Sequence, residues 1–390
     1  MPKILDYKIK LDDNLIEANS DLRFSYHISF TEDIFDEKIS NLHKYGKTKE
    51  GSRRLIFFDD SISEEIEKKF CDYFEKNNIQ IKTSRVVCLE SIKDFDMLLN
   101  ILSVIENFGI ERRGEPIIAV GGGVLMDVVS FATSIYRRGV PCIKIPTTLL
   151  GIVDASIGIK TSVNHFSRRN RLGSYSFPTA IIIDPIFLST LPEAEFSNGL
   201  AEIIKIAIIK DRNLFELLNR NNKNLLDYKF YKGEDGKKII YMAIKSMMDE
   251  LISNPLETNL ERVVDFGHTF SPVPEMRSLE DPLVADLSHG TAVALDCLLS
   301  SVISFRRNKL DKKKLKEIIE IYKSCKIPTT HPYYLNPDLL WESSRDAIRH
   351  RDGNLNLPLP GDIGKSFFCN DLTFNELKDS INALHKDFLN

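Results

Sequence analysis

The run Pro116-Ile-Ile-Ala-Val-Gly121-Gly122-Gly123-Val-Leu-Met-Asp127 constrains this chain more than any other segment. A short apolar strand leads straight into three glycines and then into a helix start. Glycine lets the backbone approach a ligand closely, and a helix N-terminus offers free N–H groups at the positive end of its dipole. The segment therefore suits a phosphate-bearing nucleotide, or else a tight turn with no ligand. It reads GGGVLMD, so the ordinary GxGxxG dinucleotide fingerprint is not met.

The flanking pattern sets the fold class. Apolar strands are predicted at 54–58, 80–88, 116–120 and 142–145, with helices at 63–77, 91–108 and 124–136. Strands that alternate with helices, each nearly all apolar, form a parallel sheet covered on both faces. Residues 180–184 are the last clear strand. Beyond Leu191 the spacing predicts helices at 193–210, 212–220, 236–254, 257–272, 287–306, 312–325, 337–349 and 374–388. The expected fold is α/β, with a Rossmann-like parallel-sheet domain over 1–180 and a mostly α-helical domain over 181–390. A length of 390 residues agrees with two domains, since single cores stop growing near ~250–300 residues.

Composition narrows the partners. With 52 basic and 56 acidic side chains the net charge is -4, so no overall field draws the chain to nucleic acid or an anionic membrane. A phosphate must be held by a local site. The opening MPKILDYKIKLDD alternates like a strand and lacks a signal-peptide core. No apolar run approaches the ~20 residues of a membrane span. Six scattered cysteines without a CxxC pair read as reduced core residues of a cytoplasmic protein.

Several polar residues stand in unusual contexts. Asp59 and Asp60 end the first strand, where an acidic group can accept from a ribose hydroxyl or cap the next helix. Glu202 lies among Leu200, Ile203 and Ile204. A buried carboxylate costs several kcal/mol unless paired or metal-bound. His268 lies in DFGHTFSP and His289 in LSHGTAV before an apolar helix. Glu202, His268 and His289 would make a three-ligand N/N/O site with open positions. Taken singly, each is also a helix cap or a satisfied core residue. Residues 154–173, with Lys160, Arg168, Arg169 and Arg171, suit a phosphate-binding loop or a solvated basic one. Tyr136-Arg137-Arg138-Gly139 and Arg349-His350-Arg351-Asp352-Gly353 are further cationic turns.

The order of these segments is more specific than any one of them. GGGVLMD, YRRGVP, KIPTTLLGIVDASIGIKTSVN, NGLAEIIK, DFGHTFSP and HG before a helix follow one another. From about Asp59 to Gly364 the chain resembles the dehydroquinate synthase superfamily of sugar phosphate cyclases. The resemblance implies an NAD site of Asp59 or Asp60, Glu90, Lys93, Gly121, Gly122, Gly123, Asp127, Thr147 and Thr148, closed by Arg169 and Asn170. It implies one divalent ion, Zn2+ or Co2+, on Glu202, His268 and His289. Substrate contacts are implied for Asp154, Lys160, Asn170, Lys205, Glu257, Asp265 and Arg351. The resemblance implies catalytic roles for Lys160, Lys205, Asp154, Glu257 and Asp265. Arg138 resembles an arginine that crosses to a neighbouring subunit's phosphate site, which implies a homodimer.

Departures from the dehydroquinate pattern narrow the branch. The arginine of R-x-x-x-N-F-G-H is here Glu261, its asparagine is Asp265, and the second histidine of HTFGH is Pro272. A desolvated glutamate at 261 would repel a substrate carboxylate, so the expected substrate lacks one. The set DFGHTFSP, RRNRLGSY and RHRDGN-LPLP resembles the branch acting on sedoheptulose 7-phosphate. Leu251, Asp265 and His350 match 2-epi-5-epi-valiolone synthases better than desmethyl-4-deoxygadusol synthases. The implied reaction is transient NAD oxidation at C5, phosphate elimination, re-reduction, ring opening and aldol closure. The alternatives are 3-dehydroquinate synthase, another C7 cyclitol synthase such as 2-epi-valiolone synthase, a metal-dependent polyol dehydrogenase, and a non-catalytic binding protein. Thr291, where relatives usually have Glu, and a long segment at 279–287 bear on the shape of the metal site.

Overall fold

The computed structural model describes residues 3–12, 15–47 and 51–389. It opens with a hairpin of β1 (Lys3–Asp12) and β2 (Leu15–Arg23). Met1, Pro2 and Asp13 of the predicted first strand lie outside the described residues. A six-stranded sheet follows, built from β3 (His27–Phe30), β4 (Arg53–Asp59), β5 (Gln80–Val86), β6 (Ile117–Gly121), β7 (Cys142–Pro146) and β10 (Ala180–Ile183). The strands lie in the order β3-β10-β7-β6-β4-β5, and every pairing is parallel. Between them run α1 (Glu64–Lys76), α2 (Phe95–Phe108) and α3 (Gly123–Ile135). Ser63 and Asp94 cap α1 and α2 by accepting from Ile66 N–H and Met97 N–H. The interior residues of β4, β6, β7 and β10 are fully buried, as apolar strands covered on both faces require.

The strand order reverses at β4. The chain steps from β4 outward to β5, then returns to place β6 on the other flank of β4. Ligands of open α/β sheets bind at such a switch point, outside the carboxyl ends of the strands. Here those ends carry Asp59 and Gly121.

One expectation for this half changes. The polar stretch after Asp154 is not a loop. It is a second hairpin, β8 (Lys160–His165) and β9 (Arg168–Tyr175), turning through Phe166 and Ser167 at φ 53° and 50°. Its alternation is weak because both faces carry polar groups, so the period-2 pattern did not stand out. The strand predicted at 180–184 is present as β10.

The second half is helical, as its periodicity predicts: α4 (Glu193–Ile209), α5 (Arg212–Arg220), α6 (Glu234–Ser253), α7 (Pro272–Glu280), α8 (His289–Arg306), α9 (Lys312–Ser324), α10 (Pro337–His350) and α11 (Phe374–Ala383). Helix α4 is buried at every position from Gly199 to Ile209 and forms the centre of the largest core with α8. Each of its isoleucines is worth ~1.5–3 kcal/mol of burial. One prediction fails. Residues 257–272 are not a helix: Glu257 and Gly267 hold φ 53° and 85°, and the segment wraps the cleft with only a short turn at Val263–Asp265. A hairpin of β11 (Leu357–Asp362) and β12 (Lys365–Cys369) occupies the gap between the helices predicted at 337–349 and 374–388. No helix among the described residues is long and apolar enough to cross a membrane.

Candidate active site

A cleft of about 1400 Å³ lies between the carboxyl ends of the sheet strands and helices α4, α6, α7 and α10. Its sheet side is the switch-point crevice. Helix α3 starts there with no side-chain cap, so its first N–H groups are free for a ligand. A Cβ on Gly122 would stand 3.2 Å from Thr148 Cγ2, and one on Gly123 3.3 Å from Ala155 Cβ. The residues at this turn thus fit a dinucleotide pyrophosphate. Asp59 holds Ser61 through its N–H and Oγ, at 3.0 and 2.7 Å, and Asp60 lies 3.6 Å from Arg85. Gly121 and Thr147 do not reach the cleft. They lie behind its lining, with Thr147 N–H donating to the Gly121 carbonyl at 2.9 Å.

The remaining residues implied for the dinucleotide join in one network. Lys93, 2% exposed, donates to Asp127 at 2.5 Å and to Asn170 Oδ1 at 2.7 Å. Asn164 receives the Asn170 N–H and donates to Glu90 Oε1. Arg169 Nε lies 3.5 Å from that Glu90 oxygen. Asn170 itself sits at φ 51°, a conformation asparagine tolerates better than most residues.

At the other end of the cleft, ligand atoms of Glu202, His268 and His289 lie within 4.8 Å of one another. His289 Nε2 is 3.4 Å and His268 Nε2 4.0 Å from Glu202 Oε1. Both Glu202 oxygens are buried without a well-directed hydrogen bond. The neighbouring Lys205 ammonium, at 2.5 Å, balances the charge without filling that role. An orphaned Oε1 facing two imidazoles, with Oε2 against Lys205, fits a divalent cation. Burial would raise the Glu202 pKa, but Lys205, His289 and His268 together hold it well below the usual range. Burial and Lys205 push His268 down to about 3, so its ring is neutral with a lone pair to offer. Burial and Arg169 oppose the charged form of His289, yet Glu275 and Glu202 outweigh them and raise it to about 9.

The substrate-side residues meet between these ends. Asp154 leaves a π-helical turn at Gly151–Ala155, a feature common at functional sites. Burial first, then Glu202, raises its pKa. Lys160, 59% exposed, pairs with Glu257 at 3.0 Å. Leu251 and His350 complete the wall. Asp265 is held at about 2, because Arg262 and Arg351 outweigh its burial.

Two expectations shift, those for Arg351 and Glu261. Arg351 is 3% exposed, and its guanidinium is taken by Asp265, Thr269 and the Leu355 carbonyl, so it supports Asp265 rather than offering a free cation. Glu261 is exposed and faces a separate polar hollow, so the repulsion expected there does not act in the cleft. Its neighbour Arg262 faces the cleft and is paired with Glu257 and Asp265. Arg138 is exposed beyond the far end of α3 and does not line this cleft. Thr291 contacts the Ser288 cap of α8 at 2.9 Å and leaves the three ligands together. The 279–287 segment is tied down through Tyr333–Asp281 and His331–Ala285 contacts.

Sequence reasoning missed Arg262, Glu275 and Asp296. Glu275, 2% exposed, accepts from Arg169 at 2.6 Å and meets His289 Nδ1 at 3.2 Å. Asp296 is fully buried, and its Oδ2 accepts from the N–H groups of Thr269, Phe270 and Ser271. It thereby seats the loop after His268 onto α8. A lone Asp within AVALDCLL was the available clue, of the same kind that singled out Glu202.

Comparison with known proteins places the chain. The model of the 3-dehydroquinate synthase N-terminal domain matches residues 84–198, and that of the C-terminal domain matches residues 199–348. The chain is 40% identical to a 2-epi-5-epi-valiolone synthase of Streptomyces albus, over 92% of this chain and 88% of that one. It is 33% identical to a 3-dehydroquinate synthase of Prochlorococcus marinus, over 87% and 92%. Among solved structures, ValA, the 2-epi-5-epi-valiolone synthase of Streptomyces hygroscopicus subsp. jinggangensis with NAD+ and Zn2+ bound, superposes with a TM-score of 0.88. It is 35% identical, with 93% of this chain and 98% of that one covered.

Proposed function

This chain belongs to the 3-dehydroquinate synthase family, and from that premise we propose that it is a sugar phosphate cyclase that converts sedoheptulose 7-phosphate to 2-epi-5-epi-valiolone and phosphate. The observation that carries the reading is a single cleft with a dinucleotide crevice at one end and the Glu202, His268 and His289 cluster at the other. The relatives named 2-epi-5-epi-valiolone synthase support the substrate. NAD is assigned to the crevice and one divalent ion, Zn2+ or Co2+, to the cluster.

When bound, the dinucleotide supplies a reversible oxidation of one substrate carbon and the ion polarises the adjacent hydroxyls. The side chains do the rest. Asp265 stays ionised and accepts hydrogen bonds from substrate hydroxyls. Lys160 and Asn170 bind the phosphate, and Lys205, beside Glu202, stabilises a developing oxyanion. Burial and the neighbouring Glu202 raise the Asp154 pKa and so favour its protonated form more than at an exposed carboxylate, which gives Asp154 the proton-carrying role. Pro272 carries no transferable proton, so the departing phosphate takes the C6 proton itself. In a cytoplasmic homodimer, Arg138 serves the neighbouring subunit's cleft.

One observation favours a second reading. Arg262 faces the cleft, and a cation there suits the carboxylate substrate of a 3-dehydroquinate synthase. Its pairing with both Glu257 and Asp265 weighs against that role. Incubating the NAD- and metal-loaded protein with each substrate and following phosphate release and carbocycle formation by NMR tests the two. Turnover of the carboxylate substrate alone would overturn the proposal.

A further inference from the structure

Two buried carboxylates flank the His289 ring, and one of them lies outside the ligand cluster. Glu202 faces Nε2, and Glu275, on the first turn of α7, faces Nδ1 at 3.2 Å. Glu275 also accepts from Arg169 at 2.6 Å. Arg169 comes from β9, and its Nε lies 3.5 Å from Glu90 in the dinucleotide network. A continuous line of contacts, Glu90–Arg169–Glu275–His289–Glu202, therefore runs from one ligand end of the cleft to the other.

The hydrogen-bond chemistry of this line has one solution when Nε2 binds a cation. An imidazole that offers Nε2 as ligand carries its proton on Nδ1, and that proton needs an acceptor. Glu275 is an acceptor in reach. Arg169, which also stands against Nδ1, can only donate. Once Nδ1 carries the proton, Arg169 has to direct its N–H groups to Glu275 and Glu90. The tautomer of His289 and the position of Arg169 are thus set together.

We propose that Glu275 is a positioning residue that couples the two ligand sites, so that a divalent cation and NAD each tighten the other's binding. The proposal rests on the assignment of both ligands to this cleft. Its physical content is a coupling free energy, which must be equal in both directions.

The experiment uses full-length protein stripped of metal. Zn2+ affinity is measured by competition with a chromophoric chelator, with and without saturating NAD+, and NAD+ affinity by calorimetry, with and without Zn2+. In the wild type, each ligand is expected to tighten the other by about fivefold or more. Glu275→Gln should weaken Zn2+ by roughly 10- to 100-fold, the range for an outer partner of a metal histidine, shift the visible spectrum of the Co2+ form and abolish the coupling. Arg169→Met should also lose the coupling while keeping most of the Zn2+ affinity, and it decides the matter if Glu275→Gln fails to fold. Wild-type-like coupling in the folded variants, or no coupling in the wild type, overturns the proposal. Failure of the wild type to bind NAD+ or Zn2+ at all would instead overturn the functional reading beneath it.

Discussion

Arg262 Nη2 lies 2.6 Å from Asp265 Oδ1, and the same guanidinium meets Glu257 through Nη1. Asp265 also receives Arg351 Nε at 3.2 Å. Asp265 is therefore charged at any working pH, and Arg262 reaches the cleft already neutralised. Asp265→Asn removes one of its counter-charges. A hydrogen bond to a charged group is worth ~1.5–3 kcal/mol, so kcat/KM for sedoheptulose 7-phosphate should fall about 10- to 100-fold. Inhibition by a carboxylate-bearing analogue should strengthen in the same variant. Steady-state kinetics reads both, and unchanged inhibition would contradict the neutralising role.

Helices α4 and α8 bring Glu202 and His289 together because Gly290 lets their backbones touch. A Cβ there would lie 2.4 Å from the Asn198 carbonyl oxygen and 2.5 Å from its Cα. Backbone cannot yield as a flexible side chain does. Gly290→Ala should destabilise by about 1–3 kcal/mol or more and weaken metal binding, read by thermal unfolding and metal content. A variant with native metal affinity would show that the helix spacing is not what builds the site.

Chelation should abolish phosphate release, and added Zn2+ should restore it. Metal at a hundredfold excess over Kd should raise stability by about 2.7 kcal/mol. Glu202→Gln behaves differently from simple metal loss, because it leaves the Lys205 ammonium, 2% exposed, without its counter-ion. Breaking one partner of a buried pair costs ~3–5 kcal/mol, whereas replacing both is often neutral. The metal-free double variant Glu202→Gln, Lys205→Met should therefore be more stable than Glu202→Gln alone. The reverse order would contradict the ion-pair assignment.

Asp296, which seats the loop after His268, supplies a pH test on the metal-free protein. Burial, opposed by its backbone and Ser300 hydrogen bonds, raises its pKa to about 6. The folded state holds this proton more tightly than the unfolded state, so its contribution is full below the ordinary value near ~3.9 and is lost as pH rises through about 6. Relative to Asp296→Asn, the wild type should lose on the order of 1–3 kcal/mol between pH 4.5 and 7.5. Thermal unfolding of the metal-free pair at both values checks this, and a pH-independent difference would contradict it.

Much of the fold was legible because its elements obey strong periodicities. The buried strands around Phe57 and Ala119 and the long helices α4 and α8 are cases in point. The β8–β9 hairpin was not legible, since Lys160 to Tyr175 alternates polar with polar. Residues 257–272 carry helical spacing but need two left-handed residues to wrap the cleft. In the site, Glu202 stood out as a charge in an apolar helix. Glu275 and Arg262 did not, because their neighbours are ordinary and only tertiary contact gives them partners. Glu261 misled for the same reason: one position along a loop reverses which side chain faces the cleft.

The most direct test of the functional reading is a product assay. Purified protein loaded with NAD+ and Zn2+ is mixed with sedoheptulose 7-phosphate and followed by NMR. One phosphate released per C7 carbocycle with the valiolone stereochemistry, and no net NADH, is the predicted result. No phosphate release with NAD and metal both shown to be bound, or release accompanied by stoichiometric NADH, would contradict it.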